Sequence, residues 1–253
     1  MVRSLTKLLV LVLLVGGGAY GIYKYETRSA TEARLAAENQ RLQAENQHLQ
    51  DFVARLTREI RRAEMVVTEQ GYKNGNVTTT LLFSEIARDG TRLPPKFFVI
   101  EGNVVHIDSL VIKFELDFIK QNDPLRGHSI ALFYRLYGDR QAPADGFPID
   151  DPGQPPPIYR DNLPKSEDLR QFEADLWRNF WRLTDDAAYR KEMGVRLAQG
   201  ESPWRFVYPD YVYTLSIEGG GGVNMASRPI DDLFRQYQEA LKRQHATAAG
   251  SPK

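Results

Sequence analysis

Apolar positions change their spacing along this chain, and each spacing predicts a different element. Residues 8–23 are apolar or glycine throughout, and Leu5 extends the run past Lys7. A membrane-crossing helix needs about 20 such residues, and Lys7 can snorkel to an interface. Tyr20, Tyr23 and Tyr25 cluster at the far end, as aromatics do at membrane boundaries. The pattern predicts a transmembrane signal anchor over 8–25 behind a short cytoplasmic tail, 1–7. No A-x-A cleavage pattern follows, which favours a retained anchor over a removed signal peptide. The basic N-terminal tail (Arg3, Lys7) is expected to stay inside. The chain would then be single-pass in a cytoplasmic (inner) membrane, with its bulk extracytoplasmic or periplasmic.

Beyond residue 29 the spacing becomes seven. Leu35, Leu42, Leu49 and Leu56 fall at d positions, and Asn39, Asn46, Val53 and Ile60 at a positions. Leucine at d with β-branched residues at a favours two parallel strands, and a buried Asn at a fixes register. Neither Pro nor Gly interrupts residues 30–67, so a dimeric parallel coiled coil is expected over 29–67. The flanking g and e rows lack opposite charges that would select a foreign partner, which points to a second copy of this chain. Gly17 and Gly21 form a GxxxG that would let two membrane helices approach closely. Residues 35–56 resemble the zippers of basic leucine-zipper transcription factors. That family reads DNA through a basic helix just before the zipper. Here the place holds YKYETRSATEAR, mixed in charge, so the resemblance implies dimerisation and no nucleic-acid partner.

After Val66 the period falls to two. NVTTTLLFSEIA follows an Asn74-Gly75 turn signal, KFFVIEGNVVHI breaks at Gly102-Asn103, and SIALFYRLYG reads as a further strand. Residues 109–120 give the clearest strand, with Leu110, Ile112, Phe114, Leu116 and Phe118 on one face and Val111, Lys113, Glu115 and Asp117 on the other. Residues 139–164 hold half of the chain's 14 prolines and predict a long surface excursion. Ser166 is a candidate N-cap for a helix whose apolar stripe is Leu169, Phe172, Leu176, Phe180 and Leu183. A shorter helix ends at Gly194, and WRFVYPDYVYTLSIE returns to strand. The glycines at 219–222 predict a flexible hinge, followed by a last helix with Pro229 at N1 and a stripe of Ile230, Leu233, Phe234, Tyr237 and Leu241. The fold class expected for residues 68–245 is an α+β head, antiparallel and β-rich, with five or six strands and about three helices. A disordered tail is expected over 246–253. The order anchor, coil, β-rich head is similar to that of rod-shape-determining protein C of bacterial cell-wall assembly, with no shared motif in the head.

Composition narrows the chemistry. Lys+Arg and Asp+Glu are both 33, a balance that gives no hint of a basic nucleic-acid surface. The cysteine count is zero, which excludes disulfides, thiol catalysis and cysteine zinc sites. His106 and Asp108 alternate onto one strand face, where a base and its orienter, or two metal ligands, would meet. With His128 they form the catalytic alternative, a hydrolase with a metal or acid/base site. No third ligand stands at motif spacing, so no metal site is assigned. Asp139, Asp145, Asp150 and Asp151 lie on the proline-rich loop, but no EF-hand pattern accompanies them, and calcium in loop 139–151 is not expected. No cofactor is expected. Trp177 and Trp181 are candidate partner-binding aromatics. The function expected is therefore a membrane-anchored homodimeric scaffold or adaptor, leaning away from an enzyme, whose head binds an envelope protein or ligand.

Overall fold

A computed structural model describes residues 2–73, 75–87, 89–151, 153–159 and 166–249. The chain divides into two compact units, Met1–Phe52 and Val53–Lys253. The first is a length of one helix, α1 (Val2–Thr57). Its Ala-, Glu-, Gln- and Leu-rich residues 30–50 are strong helix formers. Side-chain bonds at four-residue spacing, Gln47 to Asp51 (2.9 Å) and Gln50 to Asn46 (2.8 Å), reinforce it. Leu35, Leu42, Leu49 and Val53 are each 54% exposed, so the heptad stripe lies bare on the helix surface.

The transmembrane anchor over 8–25 is corrected. Among the described residues no helix is long and apolar enough to cross a membrane. Most side chains of that segment lie outside the described residues, as does the environment of Gly21. The single-pass inner-membrane placement is withdrawn with the anchor. So are the cytoplasmic tail 1–7, the bilayer as partner and the extracytoplasmic or periplasmic head, and the similarity in order of parts to rod-shape-determining protein C.

The coil over 29–67 is corrected as well. A long paired coiled coil is not shown, and α1 stops at Thr57. Strand β1 (Glu59–Lys73) begins two residues later. Past Leu56 the heptad gives way to a β-branched, period-two segment in which Arg61, Ala63, Met65 and Val67 share one face. Ile60, expected at an a position, is buried in the core of the second unit.

That second unit is sheet-dominated, not an α+β head of five or six strands and about three helices. The described residues form ten strands, with six α-helices counting α1 and two 3₁₀ turns. β2 (Asn76–Ile86) and β3 (Lys96–Glu101) follow β1, and β9 (Tyr211–Glu218) and β10 (Val223–Pro229) complete an antiparallel sheet of order β10-β9-β1-β2-β3. The second sheet has β4 (Val104–Phe114), β5 (Ile130–Gly138), β6 (Phe147–Pro148) and β7 (Val195–Glu201) in order β6-β5-β4-β7. The short β8 (Trp204–Phe206) pairs the other end of β4.

The inward faces of the sheets meet in one core that includes Met65, Phe83, Ile107, Val111, Phe133 and Leu215. The opposite face of β4 and β5, with Leu110, Ile112, Phe114 and Leu132, packs under α3 (Glu167–Arg178), α4 (Arg182–Asp185) and α5 (Ala187–Glu192). The last helix, α6 (Asp232–Ala249), puts Phe234 onto Val66, Leu82 and Val212 on the outside of the first sheet.

Several local expectations change, the first because central strands here are buried on both faces. Residues 109–120 are not one half-buried strand. β4 ends at Phe114, α2 (Leu116–Lys120) follows, and Val111 is fully buried. The proline-rich excursion carries β6 and buries Ile149 and Asp150. The glycines at 219–222 are the β9–β10 hairpin, not a hinge before the last helix, and Pro229 ends β10. Helix α6 continues to Ala249, into the expected disordered tail.

Candidate functional site

Helices α3 to α5 cover only part of the outer face of the second sheet. Trp181 marks the boundary, 40% exposed and edge-on to Tyr134 at 5.0 Å between ring centroids. Beyond it no helix of the described residues covers the face, and its side chains are half-buried to exposed. Strand alternation places His106 and Asp108 there, on the same side of β4 as the helix-covered Leu110, and a bulge in β5 opposite Asp108 and Ser109 turns Arg135 and Tyr137 to the same side. The imidazole of His106 stacks on Tyr137 at 5.0 Å with planes 6° apart. β8 extends the row: Trp204 pairs with His106 in register, and Phe206 stacks with Tyr208 at 6.4 Å. Trp204, Phe206, Tyr208 and Tyr211 are all exposed. Trp204, Phe206, Tyr208, Tyr211 and Arg205 line a groove of about 450 Å³ between β8 and the hairpin β9–β10.

The polar groups on this face are committed to one another. Asp108 accepts from Arg135 Nε at 2.6 Å, Ser202 Oγ at 2.7 Å and the Tyr137 hydroxyl at 3.2 Å. Its oxygens therefore serve Arg135, Ser202 and Tyr137 and not the His106 ring. Arg205 donates to Met225 O at 2.8 Å and Ser227 Oγ at 3.2 Å, which occupies outward groups of the neighbouring edge strand β10. Apart from Arg205 Nε, a buried donor without a partner, the groove offers ring surface: a shallow aromatic row with a polar rim, suited to holding a flat or extended apolar surface.

The residues singled out in the sequence scatter over the unit. His106 and Asp108 share the open face. His128 lies two residues beyond the far end of the β4–β5 ladder, whose run from His106 to Ile112 alone spans about 20 Å at ~3.3 Å per residue, with Nδ1 2.9 Å from Ser129 O. Trp177 is 3% exposed and stacks on Phe180 at 4.9 Å inside the core, so it is a packing residue and not part of a surface. Trp181 lies at the rim. Among the described residues no group of three or more His, Cys, Asp or Glu could hold a metal ion. Asp150, expected on a solvated loop, is buried and grips Arg61. Trp204 and Phe206 were missed as surface residues because WRFVY alternates like any half-buried strand; the flanking Pro203 and Pro209 are the only local hint that β8 is short and at an edge.

Buried charge elsewhere is structural. Glu64 is reached by Arg92 (2.5 Å) and Arg62 (2.8 Å), and its side chain is 3% exposed. Burial pushes its pKa up, but the hydrogen bonds and charges of Arg92 and Arg62 outweigh that and hold it below the ordinary glutamate value. Burial, with the Asp175 carboxylate 2.8 Å away, pushes the Tyr189 hydroxyl up to about 12. Comparison with family models, curated proteins and solved structures finds no match to this chain.

Proposed function

We propose that this chain is a homodimeric scaffold or adaptor. The heptad stripe of α1 pairs with a second copy, and the open aromatic face presents the β-rich unit to a protein partner or ligand. The observation that carries the reading is the stripe itself. Leu35, Leu42, Leu49 and Val53, each 54% exposed at heptad spacing, leave apolar area in water that only another surface can remove. Asn39 and Asn46 at a positions favour a second helix of the same sequence in fixed register. Sedimentation equilibrium of the full chain tests it. A dimer is expected, converted to monomer by Leu42→Lys with the sheet circular dichroism unchanged. A monomeric wild-type chain at micromolar concentration would remove the proposal.

A further inference from the structure

Arg61 sits fully buried between two acids. Its Nη1 and Nη2 donate to Asp150 Oδ2 (2.8 Å) and Oδ1 (3.0 Å), and Nη1 also reaches Ala131 O at 2.7 Å. The Phe133 N–H donates to the same Asp150 Oδ2 at 2.7 Å, which completes that carboxylate. Glu85 is served differently. Arg61 Nε donates to Oε2 at 3.0 Å and Nη2 lies 2.9 Å from that same oxygen. Among the described residues no donor reaches Oε1. Oε1 is not one of the fully buried side-chain atoms without a partner, so it is reachable from the cavity that Glu85 lines.

Glu85 lines a cavity of about 200 Å³ whose other walls are Phe83, Leu93, Pro94 and Pro157, with Lys96 at the rim. The Glu85 side chain is only 7% exposed. Lys96 donates to the Ile149 carbonyl. Among the described residues Arg61 and Lys96 balance Asp150 and Glu85, which favours a neutral donor over an ion. Its volume lies below the ~300 Å³ at which drug-sized sites begin and above the roughly 150 Å³ that admits benzene. Burial raises the Glu85 pKa against the opposing charge of Arg61, as befits a carboxylate with too few donors.

We propose that this cavity binds a small neutral amphipath, whose hydroxyl or amide N–H donates to Glu85 Oε1 while its apolar body lies on Phe83, Leu93, Pro94 and Pro157. The site is separate from the aromatic face and from the heptad stripe, so its test leaves the proposed scaffold role untouched.

Two isomers, benzyl alcohol and anisole, share size and formula but only the alcohol donates. Each is titrated into the full-length protein while the Leu93 methyl resonances are followed. The alcohol is expected to saturate the shift at least tenfold more tightly than the ether. Glu85→Gln keeps the shape, and Arg61 holds the amide oxygen so that the NH₂ faces the cavity; the preference for the alcohol should then vanish or reverse. Leu93→Trp fills the space and should abolish both. Equal binding of the isomers to the wild-type protein would mean an apolar void without a directed head-group site. No saturable shift with either would mean a void that takes no ligand. Either result overturns the proposal.

Discussion

At the scale of residues, the charged side chains of β1 are the ones most altered by folding. Arg61, Arg62 and Glu64 fall in a stretch that continues a heptad by spacing, yet Arg61 and Glu64 are buried and paired. Arg61 meets its acids 24 and 89 residues away and Glu64 meets Arg92 28 residues away, which spacing cannot show. Glu64 has a measurable consequence. Its folded pKa is held below the ordinary value, so its stabilising contribution is full above that value and is lost as pH falls through the folded one. Urea midpoints compared between about pH 5 and about pH 2 should fall steeply for the wild-type protein and less steeply for Glu64→Gln. Equal acid sensitivity in the two proteins would show that the arginines do not act through Glu64. Glu85 runs the other way. Its pKa is raised, so its contribution is present in acid and lost as pH rises, and it opposes Glu64.

At the scale of elements, the end of α1 and the β9–β10 hairpin explain each other. The hairpin donates Gly220 N–H to Leu56 O (2.7 Å) and Gly219 N–H to Arg58 O (2.9 Å), supplying donors that the C-terminal carbonyls of a helix lack. Close approach requires glycine: a Cβ at Gly219 would stand 2.0 Å from Arg55 O. Gly219→Ala should therefore lower stability by more than the ~1 kcal/mol of an ordinary substitution. Gly200→Ala, whose nearest neighbour is Ser109 O at 4.0 Å, is the matched control and should stay within about 0.5 kcal/mol. Thermal unfolding of both reads the difference, and equal melting temperatures would contradict the packing. The four glycines were legible as a break. That they terminate a helix more than 150 positions earlier was not, because the pairing of β1 with β9 brings them together.

At the scale of the whole molecule, the open aromatic face exists because the helices after β6 are too few to cover the second sheet. α3 to α5 reach as far as Trp181 and Tyr134, and among the described residues no helix covers the row from Tyr137 to Tyr208. If this face holds a partner, Trp204→Ala with Phe206→Ala should abolish capture of whatever the wild-type protein retains. The urea midpoint should stay nearly constant, since both side chains are already exposed. Loss of folding in the double variant, or undiminished capture, would argue that the row is packing or is bare surface.

What local chemistry controls could be read along the chain. The heptad leucines form a helix, Ser166 caps α3 by accepting from Leu169 N–H, and the alternating runs at 76–86 and 130–138 are strands. Tertiary structure alone decided where the helix yields to β1, which strand faces are doubly buried, and which tryptophan is core and which is surface. It also brought Arg61, Glu85 and Asp150 together. Periodicity reports one amphipathic face at a time, whereas a strand covered on both sides loses its period and a buried ion pair is chosen by distance in space, not by distance along the chain.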